Sequence, residues 1–129
     1  MHFGGLDLSS TTDITAWCVG KKLQEGYKAD FRFYIPEDRA RILEDRDRVP
    51  YSQWIREGWV TATPGKVIDY SFVEADIIAD CKALDVLMLG YDPWNGEATR
   101  QRLEAEGITC VKLPQGYRQL SAPSKELER

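Results

Sequence analysis

Apolar and polar residues alternate over the first third of the chain in a way that predicts strands. An apolar run over 3–8 is followed by a polar turn cluster over 9–13 and by a second apolar run over 14–19. From Tyr27 to Ile35 every second residue is aromatic or aliphatic, which is the period of a strand with one apolar face. Because only short turns separate these segments, we expect three consecutive strands joined as an antiparallel meander.

In the middle of the chain the apolar residues recur with the period of helices. Pro36 and the two acids after it favour the first turn of a helix, and 50–58 has the pattern of a second, shorter helix. A third helix is predicted over 70–84, where apolar residues recur every three or four positions and residues 71–74 match a capping box. The segment 59–63 between the second and third helices has the pattern of a short extended piece.

The last third of the chain alternates strand, helix and strand patterns. The uniform apolar run over 86–89 is typical of a strand buried on both faces, as in parallel pairing. A charged helical segment over 95–106 and a strand over 108–113 follow, and 124–129 has the start of a helical pattern. This order predicts an α/β fold with a mixed five-stranded sheet, in which the meander is followed by parallel strands and helices flank the sheet.

Two aspartates, Asp7 and Asp92, come at the ends of the first and fourth predicted strands. We expect these strands to lie side by side and parallel, and open sheets bind ligands at the carboxyl ends of such strands. Neighbouring carboxylates repel each other unless a proton or a cation neutralises them, and hard oxygen ligands favour Mg²⁺ or Mn²⁺. Asp13, across the polar loop, is a candidate further ligand. The structural alternative is that all three aspartates only stabilise turns and helix ends.

Composition and charge narrow the classes of protein. A chain of 129 residues fits one domain. It has 17 basic and 21 acidic residues, and the resulting net charge of -4 argues against a small basic nucleic-acid-binding domain. Three cysteines without C-x-x-C spacing and a single histidine argue against a structural zinc site. No apolar run approaches the roughly 18–20 residues of a membrane helix, and no signal peptide is visible, so we expect no membrane association and a cytoplasmic location.

Seven strings along the chain, in one consistent order, resemble the nuclease domain of terminase large subunits of tailed bacteriophages. They are GLDLSSTTDITA from residue 5, RVPYSQW from 48, TPG from 63, VIDY from 67, GYDPWN from 90, QGYR from 115 and KELE from 125. The resemblance implies a ribonuclease H-like fold and a metal-dependent endonuclease that cuts concatemeric viral DNA during genome packaging.

The resemblance also implies which residues would hold metal. Asp7 and Asp92 match the first two metal-binding acids of the family, and Asp13 matches an acid often present beside the first. The third essential acid lies beyond the KELE string, whereas this sequence ends at Arg129. We therefore expect 1–129 to be a single, C-terminally incomplete nuclease domain without the ATPase domain. Its two-metal Mg²⁺ or Mn²⁺ site would be incomplete, and its cutting of DNA weak or absent.

The partners implied by the family are double-stranded viral DNA and, in the complete protein, the ATPase domain, the small terminase subunit and the portal, all in the cytoplasm of a bacterial host. Lys112, Arg118 and Lys125 have few acidic neighbours and are candidates for contacts with DNA phosphates. Trp94, directly after Asp92-Pro93, is a candidate for stacking on a base. The other aromatic residues are more often core, and the arginines within 39–48 alternate with acids, as on a solvated helix.

Two other classes of protein stay open at this point. One is a non-enzymatic prophage remnant or interaction module that keeps the fold, since the third acid is missing. The other is an actin-like ATPase fragment, because the string from Asp7 to Thr12 also looks like a phosphate-binding hairpin. Such hairpins usually need a glycine where Ser9 stands, and they need a second domain that 129 residues cannot supply.

Overall fold

The computed structural model describes residues 1–8 and 14–113, with Trp94 and Asn95 described by their backbone only. Its strands and helices alternate in the order that the sequence predicts. In chain order they are β1 (His2–Asp7), β2 (Thr15–Lys22), β3 (Tyr27–Pro36), a 3₁₀ turn (Glu37–Arg39), α1 (Ala40–Asp47), α2 (Tyr51–Glu57), β4 (Val60–Thr63), α3 (Tyr70–Leu84), β5 (Val86–Tyr91), α4 (Pro93–Ala105) and β6 (Cys110–Lys112).

The strands form one mixed sheet in the order β4-β3-β2-β1-β5-β6. The first three strands are an antiparallel meander, and β1 pairs in parallel with β5 at the centre, as expected. The expected number of five strands is wrong, because β4 adds a sixth, which pairs in parallel with the end of β3. The extended piece predicted over 59–63 is confirmed as β4, but four residues do not show which strand they pair with, so the sequence did not place β4 in the sheet.

One face of the sheet carries the larger part of the core, and both long helices cover it. Residues from α3 and α4, such as Ile77 and Leu103, pack there against Trp17 of β2 and Leu89 of β5. Gly4 allows this packing, because a Cβ atom at Gly4 would overlap the ring of Trp17. The close approach of β1 to the Trp17 ring therefore depends on a glycine.

The opposite face is covered in part by α1 and α2. A second cluster there includes Ile35, Leu43, Tyr51 and Val60. The rest of this face is open among the residues that the structure describes. Four apolar side chains are exposed there. They are Phe3 on β1, Phe31 on β3, Val111 on β6 and Leu113 directly after β6. Burial of β5 on both faces was a wrong prediction. Met88 and Gly90, which lie on this face opposite Phe3 and Gly5, are only half-buried, and Leu87, where the register with β1 shifts, is 49% exposed.

The start of α3 also differs from the sequence prediction. The N-terminal cap is Asp69, whose side chain accepts a hydrogen bond from the backbone N–H of Ser71 at 3.0 Å. The predicted capping box needs Glu74 to reach back to the helix start, but Glu74 contacts α4 instead. None of the described helices is both long enough and apolar enough to span a membrane.

Candidate metal centre at the carboxyl edge of the sheet

The sheet brings Asp7 and Asp92 to neighbouring strand ends. Asp7 is the last residue of β1, and Asp92 directly follows β5. The parallel register places Leu6 opposite Tyr91, so each aspartate lies one residue beyond this pair. Adjacent strands are about 4.8 Å apart, which leaves the two backbones close enough for both side chains to serve one ion. The predicted neighbourhood of the two carboxylates is confirmed, while their role as ligands remains a prediction.

Successive side chains of a strand point to opposite faces of the sheet, and this determines how exposed the Asp7 side chain is. Leu6 and Tyr91 are both buried in the core under α3 and α4. The next residue of β1, Asp7, therefore faces the other side of the sheet, where its side chain is exposed. Asp92 is half-buried, at the start of the turn into α4. An exposed carboxylate beside a half-buried one gives a site that a hydrated cation can reach from solvent.

Tyr91 fixes the turn that carries Asp92. The ring of Tyr91 packs so closely on the start of α4 that a Cβ atom at Gly96 would lie 2.9 Å from Cδ2 of the ring. The Tyr91 hydroxyl donates a hydrogen bond to Glu97 Oε1 at 3.1 Å. Burial of the ring, together with Glu97, raises the pKa of Tyr91, so the phenol keeps its proton and continues to donate. Both contacts hold α4 against β5 on either side of Asp92.

Glu74 joins α4 to α3 and was not predicted as a residue of this region. Its buried carboxylate accepts a hydrogen bond from the Thr99 hydroxyl at 2.7 Å. It also accepts two hydrogen bonds from the Arg102 guanidinium, each at 2.7 Å. A bidentate charged pair of this kind has strict geometry, so it fixes how α4 lies on α3. No spacing along the chain could reveal the contact, because the partners are on different helices.

A second carboxylate, Asp80, anchors α3 to the meander. Arg32 of β3 donates two hydrogen bonds to Asp80, at 2.8 and 2.9 Å, and Trp17 Nε1 donates a third at 2.9 Å. The hydrogen bonds from Arg32, and then from Trp17, hold the pKa of Asp80 below its ordinary value. Asp80 lies on the face of the sheet that α3 covers, so its role is structural rather than part of the carboxyl edge.

The other predicted site residues divide into two groups. Lys112 is exposed at the end of β6, opposite Tyr91 in the register, so it lies at the same edge as Asp92. Its charge contributes to lowering the pKa of Glu97, after the larger effect of the hydrogen bond from Tyr91. The remaining predictions lie outside what the structure describes. These are Asp13, Arg118, Lys125 and the side chain of Trp94.

The described part of the chain supplies two carboxylates to this edge and no larger metal-ligating set. Within residues 1–8 and 14–113, no group of three or more His, Cys, Asp or Glu side chains is arranged to hold an ion. Carboxylate oxygens suit Mg²⁺ and Mn²⁺, which retain several waters when only one or two carboxylates bind them. Asp7 and Asp92 therefore fit a hydrated divalent cation and do not fit zinc.

Comparison with known proteins shows the family of this chain. The profile of the family described as terminase large subunit, endonuclease domain, matches residues 2–129. The chain therefore belongs to the endonuclease-domain family of terminase large subunits. This confirms the family that the sequence strings indicated.

Two curated proteins show what the chain is similar to. The large subunit of the terminase of Enterobacteria phage HK97 is 34% identical over 98% of this chain and 26% of its own length. Protein YmfN of Escherichia coli strain K12 is 28% identical over 79% of this chain and 23% of its own length. The chain thus spans about a quarter of the length of the curated relatives it matches.

The fold matches a solved member of the same family. The crystal structure of the HK97 bacteriophage large terminase superposes with a TM-score of 0.84 and 32% identity, over 98% of this chain and 27% of that one. A match of this extent covers nearly the whole chain. The predicted ribonuclease H-like fold, with a mixed sheet flanked by helices, is therefore confirmed.

Proposed function

We propose that this chain is a metal-dependent DNA endonuclease domain that cuts concatemeric viral DNA during genome packaging. The observation that carries the proposal is the position of Asp7 and Asp92 at the ends of two adjacent parallel strands. Open sheets bind ligands at such strand ends, and two carboxylates there supply hard oxygen ligands that suit a divalent cation. Membership of the endonuclease-domain family supports the same reaction class.

In this proposal Asp7 and Asp92 hold Mg²⁺ or Mn²⁺, and Asp13 adds a direct or water-mediated ligand. The bound metal would supply an activated water and stabilise negative charge on a phosphodiester. Lys112, exposed at the same edge, contacts a DNA phosphate, because an exposed cation there can replace phosphate counterions. Arg118, Lys125 and Trp94 are proposed as further contacts with DNA.

The whole-protein partners follow from family membership rather than from this chain. We propose double-stranded viral DNA as the substrate and the ATPase domain, the small terminase subunit and the portal as partners in a complete terminase. A packaging reaction of this kind takes place in the cytoplasm of the bacterial host. Since two carboxylates hold a hydrated Mg²⁺ loosely, we expect this chain by itself to cut DNA weakly or not at all.

The test is a titration with Mn²⁺ followed by NMR. Paramagnetic broadening should start at the ends of β1 and β5 and should disappear in Asp7→Ala and in Asp92→Ala. Asp45→Ala is the matched control, because Asp45 is exposed on α1 and its removal changes the net charge equally. Two outcomes would show that the two aspartates are not ligands. In one, the broadening persists in both Asp7→Ala and Asp92→Ala; in the other, Asp45→Ala loses as much broadening as they do.

A further inference from the structure

A second concave site lies on the face of the sheet opposite α3 and α4. It is an apolar pocket of about 500 Å³ between α2, the end of β3 and the start of β4. Its lining residues are Ile14, Phe33, Val49, Tyr51, Trp54, Trp59 and Val60. This volume is within the usual range for pockets that bind small organic groups. Neither Asp7 nor Asp92 is among the residues that line the pocket, so the proposed metal site does not account for it.

The rim of the pocket carries two exposed indole rings. Trp59 is 70% exposed and Trp54 is 36% exposed. Gly58, with φ 87°, ends α2 and turns the chain back, so that the Trp59 N–H donates to the Trp54 carbonyl at 2.9 Å. Tyr51 holds the Trp54 ring edge-on, with the ring centroids 6.0 Å apart. Such exposed, positioned aromatic rings contribute little to the core and offer faces for stacking.

The register of the sheet places this pocket in line with the carboxylates. Asp7 lies opposite Ala16, Ala16 opposite Phe33, and Phe33 opposite Val60. Residues in one row across a sheet share a face, so Asp7 faces the same side as the pocket walls Phe33 and Val60. Three strand spacings separate Asp7 from Val60, which is roughly 14 Å. A stacked DNA strand covers that length with about four nucleotides, at about 3.4 Å each.

The charges around the pocket favour a polyanion that carries an apolar ring. Arg48 is exposed next to the pocket wall Val49, and Arg56 is exposed two residues after the pocket residue Trp54. Neither arginine has an ion-pair partner among the described residues. Of the acids nearby, Asp47, which accepts a hydrogen bond from the Tyr51 hydroxyl at 3.0 Å, is paired with Arg46. Glu57 accepts a hydrogen bond from Gln53 at 2.8 Å and keeps its charge. Unpaired arginines suit backbone phosphates, and the dry aromatic wall between them suits a base.

We propose that this pocket binds an unpaired nucleobase of the DNA strand whose phosphodiester lies at Asp7 and Asp92, with Trp59 stacking on the base. The position of that phosphodiester rests on the proposed function. A paired base cannot enter the pocket because its faces are covered within the duplex, so the base must be in a single-stranded or extruded nucleotide. The chain would therefore prefer DNA with unpaired nucleotides about four positions from the bond that is cut.

The test measures DNA binding without cutting. Dye-labelled oligo-dT and a blunt duplex of equal length are titrated with the chain in EDTA, and fluorescence anisotropy reports binding. Trp59→Ala should weaken oligo-dT binding about 5- to 150-fold, the range for the loss of one base–aromatic stack, and should leave duplex binding within twofold. Trp59→Phe should restore most of the affinity because it keeps an aromatic face.

Tyr27→Ala is the matched control, because Tyr27 is 75% exposed on β3 and lies outside the pocket. Its oligo-dT affinity should equal that of the wild type. Equal losses in Tyr27→Ala and Trp59→Ala, an unchanged affinity in Trp59→Ala, or no oligo-dT binding by the wild type would each overturn the proposal. So would a dimer in sedimentation that Trp59→Ala dissociates, because a second copy would then fill the pocket.

This test separates the base pocket from the metal site. Asp7→Ala and Asp92→Ala should lose the Mn²⁺ broadening and keep the difference between Trp59→Ala and the wild type in EDTA. If the wild type shows no Mn²⁺ broadening at the ends of β1 and β5 but Trp59→Ala still weakens oligo-dT binding, the endonuclease proposal is refuted and base binding is left established for a DNA-binding domain. Metal binding without any effect of Trp59→Ala would refute the base pocket and leave the endonuclease proposal in place.

Discussion

A carboxylate that is only 7% exposed needs partners for its charge, and Glu74 finds them on the neighbouring helix. Because α4 begins at Pro93, directly after Asp92, anything that fixes α4 also fixes the turn at the candidate metal site. Glu74 is therefore a positioning residue for the carboxyl edge although it lies on the core side of α3. Its role rests on the geometry of three hydrogen bonds to Thr99 and Arg102.

Replacing Glu74 by alanine should lower the free energy of unfolding by about 1–3 kcal/mol, because the buried Thr99 hydroxyl and the Arg102 guanidinium lose their shared acceptor. Urea denaturation followed by circular dichroism measures this. Glu104→Ala is the control, since Glu104 pairs with Arg100 on the exposed surface of α4 and its loss should cost at most about 0.5 kcal/mol. Equal effects of the two variants would contradict a special role for Glu74.

Asp80 should make the stability of the fold depend on pH in the acid range. Its pKa is lowered in the folded state by Arg32 and Trp17, so its stabilising contribution is complete above the unfolded pKa, about 3.9. The contribution is lost as the pH falls through the lower folded pKa. The stability difference between wild type and Asp80→Asn should therefore shrink below about pH 4, as measured by urea denaturation across that range. A difference that does not change with pH would show that folding leaves the pKa of Asp80 unchanged.

Among the strands, β1 is the element whose packing is tightest. It pairs with β2 on one side and with β5 on the other, and it crosses the ring of Trp17. Two adjacent glycines, Gly4 and Gly5, lie on its opposite faces and have different surroundings. A Cβ atom at Gly4 would overlap Trp17 and lie 3.0 Å from Leu89 Cβ, whereas one at Gly5 would meet no atom within 4 Å.

Gly4→Ala should therefore destabilise the domain by about 1–3 kcal/mol, because the added methyl group displaces the Trp17 ring. Gly5→Ala should be neutral or stabilising by up to about 1 kcal/mol, because it restricts the unfolded chain and causes no clash. Thermal denaturation of the two variants measures the difference. If Gly5→Ala were the more damaging variant, the two faces of β1 would have to be assigned the other way round.

The short strand β4 shows where sequence patterns fail at the scale of elements. Valine and threonine, three of its four residues, are favoured in strands, but a segment this short becomes part of the sheet only by pairing with the edge of β3. The exposed face of β5 has a similar cause. An apolar run such as 86–89 shows that a segment is apolar, but which of its faces a helix covers depends on where α3 and α4 pack.

At the scale of the whole molecule, much of the fold and part of the candidate site were predictable. The alternation of strand and helix patterns predicted that β1 and β5 pair in parallel at the centre of the sheet. The positions of Asp7 and Asp92 at the ends of these strands predicted that the two residues are neighbours. Glu74 and the aromatic pocket were not predictable, because each depends on contacts between elements that are distant in the chain. The register that aligns Asp7 with Val60 exists only once β1 to β4 have paired.

The pairing of β1 with β5 also determines when the candidate site can exist. The meander from β1 to β3 has only local connections, so it can form while the chain is still emerging from the ribosome. Asp92 joins Asp7 only after the chain has been made through β5 and that distant strand has paired with β1. During synthesis the pair of carboxylates therefore cannot be assembled until β5 has been made, more than 80 residues after Asp7.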